Sequence, residues 1–90
     1  MACSGNINPS GVSLFEPVNG SSPAMSGKNV ANPMGAILTA GMMLDHLGFA
    51  EAAAGIEAAV TSCVRQRQTT PDVGGTLGTR EVGSAVIARL

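Results

Sequence analysis

The 90-residue sequence is short of the side chains from which a small domain builds its core, since it has two Phe, no Tyr and no Trp. It also has only two cysteines, Cys3 and Cys63, so neither a disulfide framework nor a CxxC metal-binding spacing is present. A free-standing domain of this size buries only about 60–65% of its unfolded surface and usually needs such extra stabilisation. The composition therefore indicates one small unit with a sparse core.

Charge and long apolar runs are also scarce. Five basic and six acidic residues give a net charge of −1, which provides no basic surface for nucleic acid or an anionic membrane. The longest apolar stretch, residues 34–44, is shorter than the about 20 residues that span a bilayer, and the first residues lack a signal-peptide pattern. We therefore expect a soluble, cytoplasmic protein with reduced thiols and with neither nucleic-acid nor membrane partners. Cys63 is expected to be a small buried hydrophobic residue.

The first third of the chain predicts one strand and one long loop. Residues 1–13 are rich in Ser, Asn, Gly and Pro and are expected to form irregular turns. Residues 14–18 form a short apolar run in which Pro17 favours a strand end or an edge position. Residues 19–29 are small and polar, and their glycines permit close approach of the backbone to a ligand.

The rest of the chain predicts three helices. Asn32 and Pro33 are typical of a helix start, with Asn32 as the cap, and Gly48 is typical of the end. A second, amphipathic helix is expected over residues 50–67 and, after a polar turn at 68–78, a third over 80–90 with Thr79 as its cap. The apolar stripes of these two helices are Ala53, Ile56, Val60, Cys63 and Val64, and Val82, Ala85, Val86 and Leu90.

The first helix is apolar on every side and has no charge before its last turn. Such a helix must be covered on every side, which two thin amphipathic helices and one strand cannot do. The chain is therefore expected to be part of a larger α/β layer structure, or an obligate subunit whose neighbours complete the core.

No catalytic constellation is apparent. His46 stands alone at a helix end, and the carboxylates are scattered without the spacing that holds a metal, so most of them are expected to be solvated surface charges. The loop at 19–29 leads into a helix N-terminus, whose free amides and dipole attract phosphate and other anions. An ordinary strand-to-helix turn explains the same pattern, so both interpretations stay open on spacing alone.

A family resemblance begins at this loop. It is carried by LFEPVNGSSPAMSGKNVANP at residues 14–33 and by GAILTAGMML at residues 35–44. These runs resemble the carboxy-terminal segment of the β-decarboxylating dehydrogenases, the isocitrate and isopropylmalate dehydrogenase family. TPDVGG at residues 70–75 and Gly78-Thr79 resemble elements that precede the family's last helix, and SGNINP at residues 4–9 resembles the tartrate and D-malate dehydrogenase branch.

The resemblance implies a fold and a site. Residues 1–90 would be a fragment of an isopropylmalate-dehydrogenase-like open α/β domain, about one strand followed by three helices, and part of its cofactor-binding domain. Its loop would wrap the adenosine half of NAD. By position, the cofactor-binding residues would be Asn19, Gly20, Ser21, Ser22, Pro23, Ala24, Met25 and Asn32.

Two of these residues depart from the family's pattern. Asn19 stands where the family usually has His, and Ala24 stands where NAD-preferring members commonly have an Asp that accepts from the adenosine ribose. Ala24 weakens the case for NAD over NADP, but the chain also lacks the Lys-Tyr pair of the NADP enzymes, so NAD remains the prediction. Asn32 would hydrogen-bond the adenine, and its replacement by Asp or Ser is expected to keep the helix cap.

The resemblance also implies the activity of a longer protein, which would oxidise and in some cases decarboxylate a 2-hydroxy acid such as tartrate, D-malate or 3-isopropylmalate. It would use NAD and Mg²⁺ or Mn²⁺ and would form a homodimer. The family's catalytic residues and metal ligands lie upstream of this segment, so the chain is expected to have neither and to be inactive alone. The alternative is a non-catalytic remnant that binds a nucleotide or docks through its apolar helix.

Overall fold

The computed structural model describes residues 3–6, 14–17 and 27–90 of the chain. Two short strands, β1 (Cys3–Asn6) and β2 (Leu14–Pro17), precede three helices, α1 (Met34–His46), α2 (Ala50–Arg65) and α3 (Thr79–Ile87). A short 3₁₀ turn, Pro71–Val73, lies between α2 and α3. The three helices confirm the prediction, but the described residues contain two strands where the sequence predicted one.

The second strand is the first clear correction. β1 and β2 pair antiparallel, with Gly5 opposite Phe15 and with Cys3 opposite Pro17 at the end of the ladder. Irregular turns were expected for residues 1–13 because Ser, Gly and Asn have low strand propensity. That expectation is wrong at residues 3–6, because cross-strand pairing and packing against α1 stabilise the strand despite its composition. Pro17 lies at the strand end, as predicted.

The boundaries of α1 follow the sequence signals closely. The helix begins at Met34 with Pro33 as its N-cap residue, so Asn32 lies one position before the predicted cap position. Its side chain still satisfies the first helical amide, because Asn32 Oδ1 accepts a hydrogen bond from the Met34 amide at 2.9 Å. After His46 the chain turns through Gly48, whose φ of +93° lies in the region that favours glycine. The predicted glycine stop is thus confirmed.

A small core lies between the three helices. Its fully buried apolar residues are Met34, Ala59, Val60, Cys63, Val82 and Val86. Four residues of the predicted stripes, Val60, Cys63, Val82 and Val86, lie in this core, and Cys63 is buried as expected. The stripe residues Ala53, Ile56, Val64 and Ala85 are half-buried. Two details were wrong: α2 ends at Arg65 rather than at residue 67, and Leu90 lies beyond α3 with 69% of its surface exposed.

One face of α1 has no cover among the described residues. Ala36, Ala40, Met43 and Leu47 follow one another at helical spacing and are all exposed, Met43 by 40% and Leu47 by 59%. The opposite side, with Met34, Thr39 and Gly41, is buried. The expectation that the rest of this segment cannot cover α1 is therefore confirmed for the part of the chain that the structure describes. No helix in that part is both long and apolar enough to cross a membrane.

Candidate functional site

The predicted binding loop enters the described structure only at its end. Asn19, Gly20, Ser21, Ser22, Pro23, Ala24 and Met25 lie outside the described residues. The structure does place Asn32, the remaining predicted cofactor-binding residue, where residues 27–33 lead into α1.

Asn32 is half-buried, and its side-chain amide is held from both ends. Its Oδ1 accepts from the Met34 amide, and its Nδ2 donates to Asp72 Oδ2 at 3.1 Å. A side-chain amide has two N–H donors and two acceptor positions, so these contacts use one of each. Among the described residues, nothing occupies the remaining donor and acceptor positions, which are available to a ligand.

Asp72 belongs to the 3₁₀ turn and is held in turn by Thr70. The buried Thr70 hydroxyl donates to Asp72 Oδ1, so the two carboxylate oxygens serve different partners, Thr70 and Asn32. The hydrogen bond from Thr70 is the main reason that the pKa of Asp72 lies below its ordinary value. Partial burial opposes this shift, and donation from Asn32 adds to it. Asp72 is therefore ionised at neutral pH and is a charged acceptor for Asn32.

The backbone around Asp72 forms a closed turn over residues 69–77. The amides of Gly75 and Leu77 donate to the carbonyls of Thr70 and Thr69 at 3.1 and 2.9 Å, and both threonines are fully buried. A Cβ at Gly75 would overlap the Thr69 carbonyl, so only glycine allows this close approach. The sequence predicted a polar turn here, and the structure adds that its two threonines are part of the interior.

Asn29 joins the same loop to the start of α3. Its backbone carbonyl accepts from the Thr79 amide at 3.1 Å and its Oδ1 accepts from the Arg80 amide at 2.9 Å. Its Nδ2 donates to Glu81 Oε1 at 2.7 Å. Thr79 was predicted to cap α3, but its hydroxyl donates instead to the Ala31 carbonyl at 2.6 Å. The α3 cap therefore comes from another segment, which local sequence cannot indicate.

Two features make this junction tight. Asn29 has a φ of +58°, in the left-handed region that Asn tolerates better than most residues. A Cβ at Gly78 would overlap Asn29 and approach Glu81, so the loop and α3 can meet this closely only at a glycine. The N-termini of α1 and α3 and the 69–77 turn thus form one connected surface, which we call the loop junction.

Sequence reasoning missed two members of the loop junction. Asp72 and Glu81 are exposed, as expected for surface charges, but both accept hydrogen bonds from asparagines of the loop. The Thr-Pro-Asp sequence at residues 70–72 indicated a turn with local side-chain hydrogen bonds, because Thr and Asp side chains often bond to nearby groups in turns. The contacts across 40 and 52 residues had no sequence signal.

The described residues contain no group of three His, Cys, Asp or Glu side chains that could hold a metal ion. The geometry at the loop junction is that of a binding surface with amide and carboxylate groups.

Comparison with known proteins assigns the chain to a family. The profile of the isocitrate/isopropylmalate dehydrogenase family matches residues 1–86. The chain belongs to this family. It is 47% identical over 90 residues to the isocitrate/homoisocitrate dehydrogenase of Thermus thermophilus and 51% identical over 78 residues to the 3-isopropylmalate dehydrogenase of Novosphingobium aromaticivorans. A crystal structure of a β-decarboxylating dehydrogenase from Thermococcus kodakarensis, in its apo form, superposes with a TM-score of 0.87 at 45% identity.

These matches cover the chain but only part of each relative. The alignments include 100%, 86% and 97% of this chain, and 27%, 22% and 25% of the Thermus, Novosphingobium and Thermococcus proteins. The chain thus spans about a quarter of the length of the relatives it matches. The predicted family, its dehydrogenase class and the α/β fold are confirmed. The similarity to the tartrate and D-malate branch stays a prediction, because these relatives are named for other substrates.

Proposed function

We propose that residues 1–90 form the carboxy-terminal part of the cofactor-binding domain of a longer, NAD-dependent dehydrogenase. That protein, a cytoplasmic homodimer, oxidises a 2-hydroxy acid such as 3-isopropylmalate, D-malate or tartrate. This chain contributes the loop that binds the adenosine half of NAD, through residues 19–25 and Asn32. The orientation of the Asn32 amide is the observation that carries the proposal.

The groups that Asn32 leaves open suit an adenine. Adenine presents an N–H₂ donor beside a ring-nitrogen acceptor, and an Asn side chain recognises that pair by accepting with its oxygen and donating with its nitrogen. Asn32 retains one acceptor position and one N–H for such a pair after its contacts with Met34 and Asp72. Because Met34 and Asp72 fix which end of the amide is oxygen and which is nitrogen, the donor–acceptor order is defined before a ligand binds.

Charge at the loop junction favours the base over the phosphates. An ionised Asp72 lies 3.1 Å from the Asn32 amide nitrogen, and Glu81 lies beside Asn29. A phosphate group at this point would face two carboxylates, whereas a neutral adenine would not. The pyrophosphate is therefore expected nearer the earlier part of the loop, where small residues permit backbone donors to approach it.

The chemical step belongs to parts of the protein beyond this segment. In the complete enzyme, NAD would supply a hydride acceptor for the oxidation of the substrate hydroxyl, and Mg²⁺ or Mn²⁺ would supply a Lewis acid for the resulting carbonyl. The family resemblance implies that the metal ligands lie upstream of this segment. The role of this chain is to hold the cofactor's adenosine end, which fixes the position of the nicotinamide end.

The test is a cofactor titration of the full-length protein. Asn32→Ser keeps an oxygen that can cap α1 but removes the amide donor and most of its reach. We expect Asn32→Ser to bind NAD several-fold more weakly and to bind nicotinamide mononucleotide, which lacks the adenosine, with unchanged affinity. Equal NAD affinity in the parent and the variant would show that Asn32 is only a helix cap.

A second candidate is supported by the exposed face of α1. A non-catalytic remnant could hold a nucleotide or dock through Met43, Leu47 and their neighbours, which the described residues leave uncovered. The DNA upstream of Met1 distinguishes the two. An in-frame continuation encoding the family's substrate arginines, catalytic Tyr and Lys and metal carboxylates supports the dehydrogenase, and a genuine start at Met1 supports the remnant.

A further inference from the structure

We propose that Asp72 is a positioning residue for adenine recognition, which acts by fixing the orientation of the Asn32 amide. This inference rests on the proposed function. Through Asn32, Asp72 would allow the site to distinguish adenine from a base in which donor and acceptor are exchanged, such as hypoxanthine. Asp72 itself is not required to touch the nucleotide.

Two contacts of opposite polarity hold the Asn32 amide. The Met34 amide requires an acceptor and therefore oxygen, and the Asp72 carboxylate requires a donor and therefore nitrogen. A half-turn of the amide about its last bond would set nitrogen against the Met34 N–H and oxygen against the carboxylate. Both contacts would then be repulsive. With Asp72 removed, only the Met34 contact would oppose the half-turn, and the amide would also be free to tilt out of the plane of the base.

Asp72 is a suitable anchor because it is fixed before any ligand binds. Its second carboxylate oxygen accepts from the buried Thr70 hydroxyl, and Thr70 lies in the closed 69–77 turn. A carboxylate held at both oxygens cannot rotate to follow the amide. Its charge strengthens the bond to Asn32 compared with a neutral acceptor. The chain of contacts therefore runs from the interior through Thr70 and Asp72 to Asn32.

The experiment compares two dinucleotides in the full-length protein. Dissociation constants for NAD and for nicotinamide hypoxanthine dinucleotide are measured by calorimetry in the parent and in Asp72→Ala, Asp72→Asn and Asp45→Ala. The hypoxanthine analogue replaces the exocyclic amine of adenine with a carbonyl oxygen. Asp45→Ala is the matched control, since Asp45 is an exposed carboxylate in the last turn of the 13-residue α1, about 15–20 Å along the helix axis from Asn32.

We expect Asp72→Ala to reduce the preference for NAD over the analogue about fivefold. Asp72→Asn keeps a neutral acceptor of the same shape and should retain about half of the parent's preference for NAD. The control Asp45→Ala should show the same preference as the parent. If Asp72→Ala does not fold, Asp72→Asn carries the comparison. An equal loss of affinity for both dinucleotides in the Asp72 variants would overturn the inference, because a general loosening of the site does not depend on the base.

A double-substitution cycle separates this inference from the proposed function. In an Asn32→Ser background, Asp72→Ala should cause no further loss of preference, because the residue through which it acts is gone. The same loss in both backgrounds would overturn the positioning role. If Asn32→Ser changes the preference and Asp72→Ala does not, the positioning role is wrong and the proposed function stands. If Asn32→Ser leaves the preference unchanged, both are wrong.

Discussion

Replacing Asn32 with Asp tests the Asn32–Asp72 contact by charge. From sequence alone this variant should fold nearly as well as the parent, because Asp is as good a helix cap as Asn. The structure reverses that expectation. The substitution converts the donor that faces Asp72 Oδ2 at 3.1 Å into an acidic oxygen, so a hydrogen bond becomes a pair of like charges.

The size of the effect follows from Coulomb's law. At 3.1 Å two unit charges repel by about 1.3 kcal/mol in bulk water and by about 5 kcal/mol at an effective dielectric constant of about 20. Asp72 is exposed, so the lower figure applies, and the side chains can rotate apart. With the lost hydrogen bond, worth about 1 kcal/mol, we expect Asn32→Asp to lower the free energy of unfolding by about 1–2 kcal/mol relative to the parent. Asn32→Ser loses the same hydrogen bond without the repulsion, so it should be more stable than Asn32→Asp by up to about 1 kcal/mol.

Urea unfolding of the full-length protein, followed by circular dichroism, measures this difference. Repulsion from Asp72 raises the pKa of the carboxyl introduced at position 32 above its unfolded value near 4, whereas the hydrogen bond from Thr70 continues to favour the ionised form of Asp72. The penalty is therefore full at pH 7 and should shrink as the pH falls towards 4 and one carboxyl becomes protonated. Adding Asp72→Asn to Asn32→Asp exchanges donor and acceptor and should restore stability. If Asn32→Asp is as stable as Asn32→Ser at pH 7, or if the exchange restores nothing, the contact does not exist in solution.

Four further predictions follow from the loop and the turn. In the full-length protein, Ala24→Asp should raise the ratio of kcat/KM for NAD to that for NADP at least about tenfold, because a carboxylate accepts hydrogen bonds from the ribose and repels a 2′-phosphate. An unchanged ratio would show that residue 24 does not face the ribose. Gly75→Ala should lower the urea midpoint because its Cβ would overlap Thr69, whereas Gly83→Ala, which has open space within the described structure, should leave it equal or higher. The pKa of Asp72 is lowered on folding, so its contribution to stability is full above about pH 4 and is lost as the pH falls through the folded value; Asp72→Asn should show a smaller loss of stability between pH 5 and 2.5. The isolated 90-residue chain should sediment with a concentration-dependent size that Met43→Lys reduces, and a sharply melting monomer above about 60 °C would contradict this.

The sequence predicted the elements whose signals are local. Asn32 and Gly48 mark the ends of α1 because a cap and a left-handed turn depend on one or two residues. The buried stripes of α2 and α3 followed from helical periodicity, which the hydrophobic core imposes directly. The absence of charge before the last turn of α1 correctly indicated a helix that the described residues do not cover on every side.

The errors fall where distant residues decide the structure. β1 has no strand signal of its own and forms by pairing with residues 14–17. Thr79 carries a good capping side chain, yet Asn29 takes that role from 50 positions away, and the Thr79 hydroxyl turns to Ala31. Asp72 has the appearance of an ordinary surface charge until its contact with Asn32 is seen. The family resemblance supplied a cofactor role for Asn32, but the partner that orients it came only from the structure.

The hydrogen bonds between Asn29 and the start of α3 affect the order in which this segment folds during synthesis on the ribosome. Asn29 and its partner Glu81 are 52 residues apart. At about 5–20 residues per second, translation takes roughly 3–10 s to cover that distance. The residues of α1 and α2 are all synthesised by position 65, and helices form within about a microsecond, so these two helices can form before Val82 and Val86 of α3 complete their core. The end of the binding loop, in contrast, stays without its partners until α3 has been synthesised. The loop junction, where we propose that the adenosine binds, is thus among the last parts of this segment to become fixed.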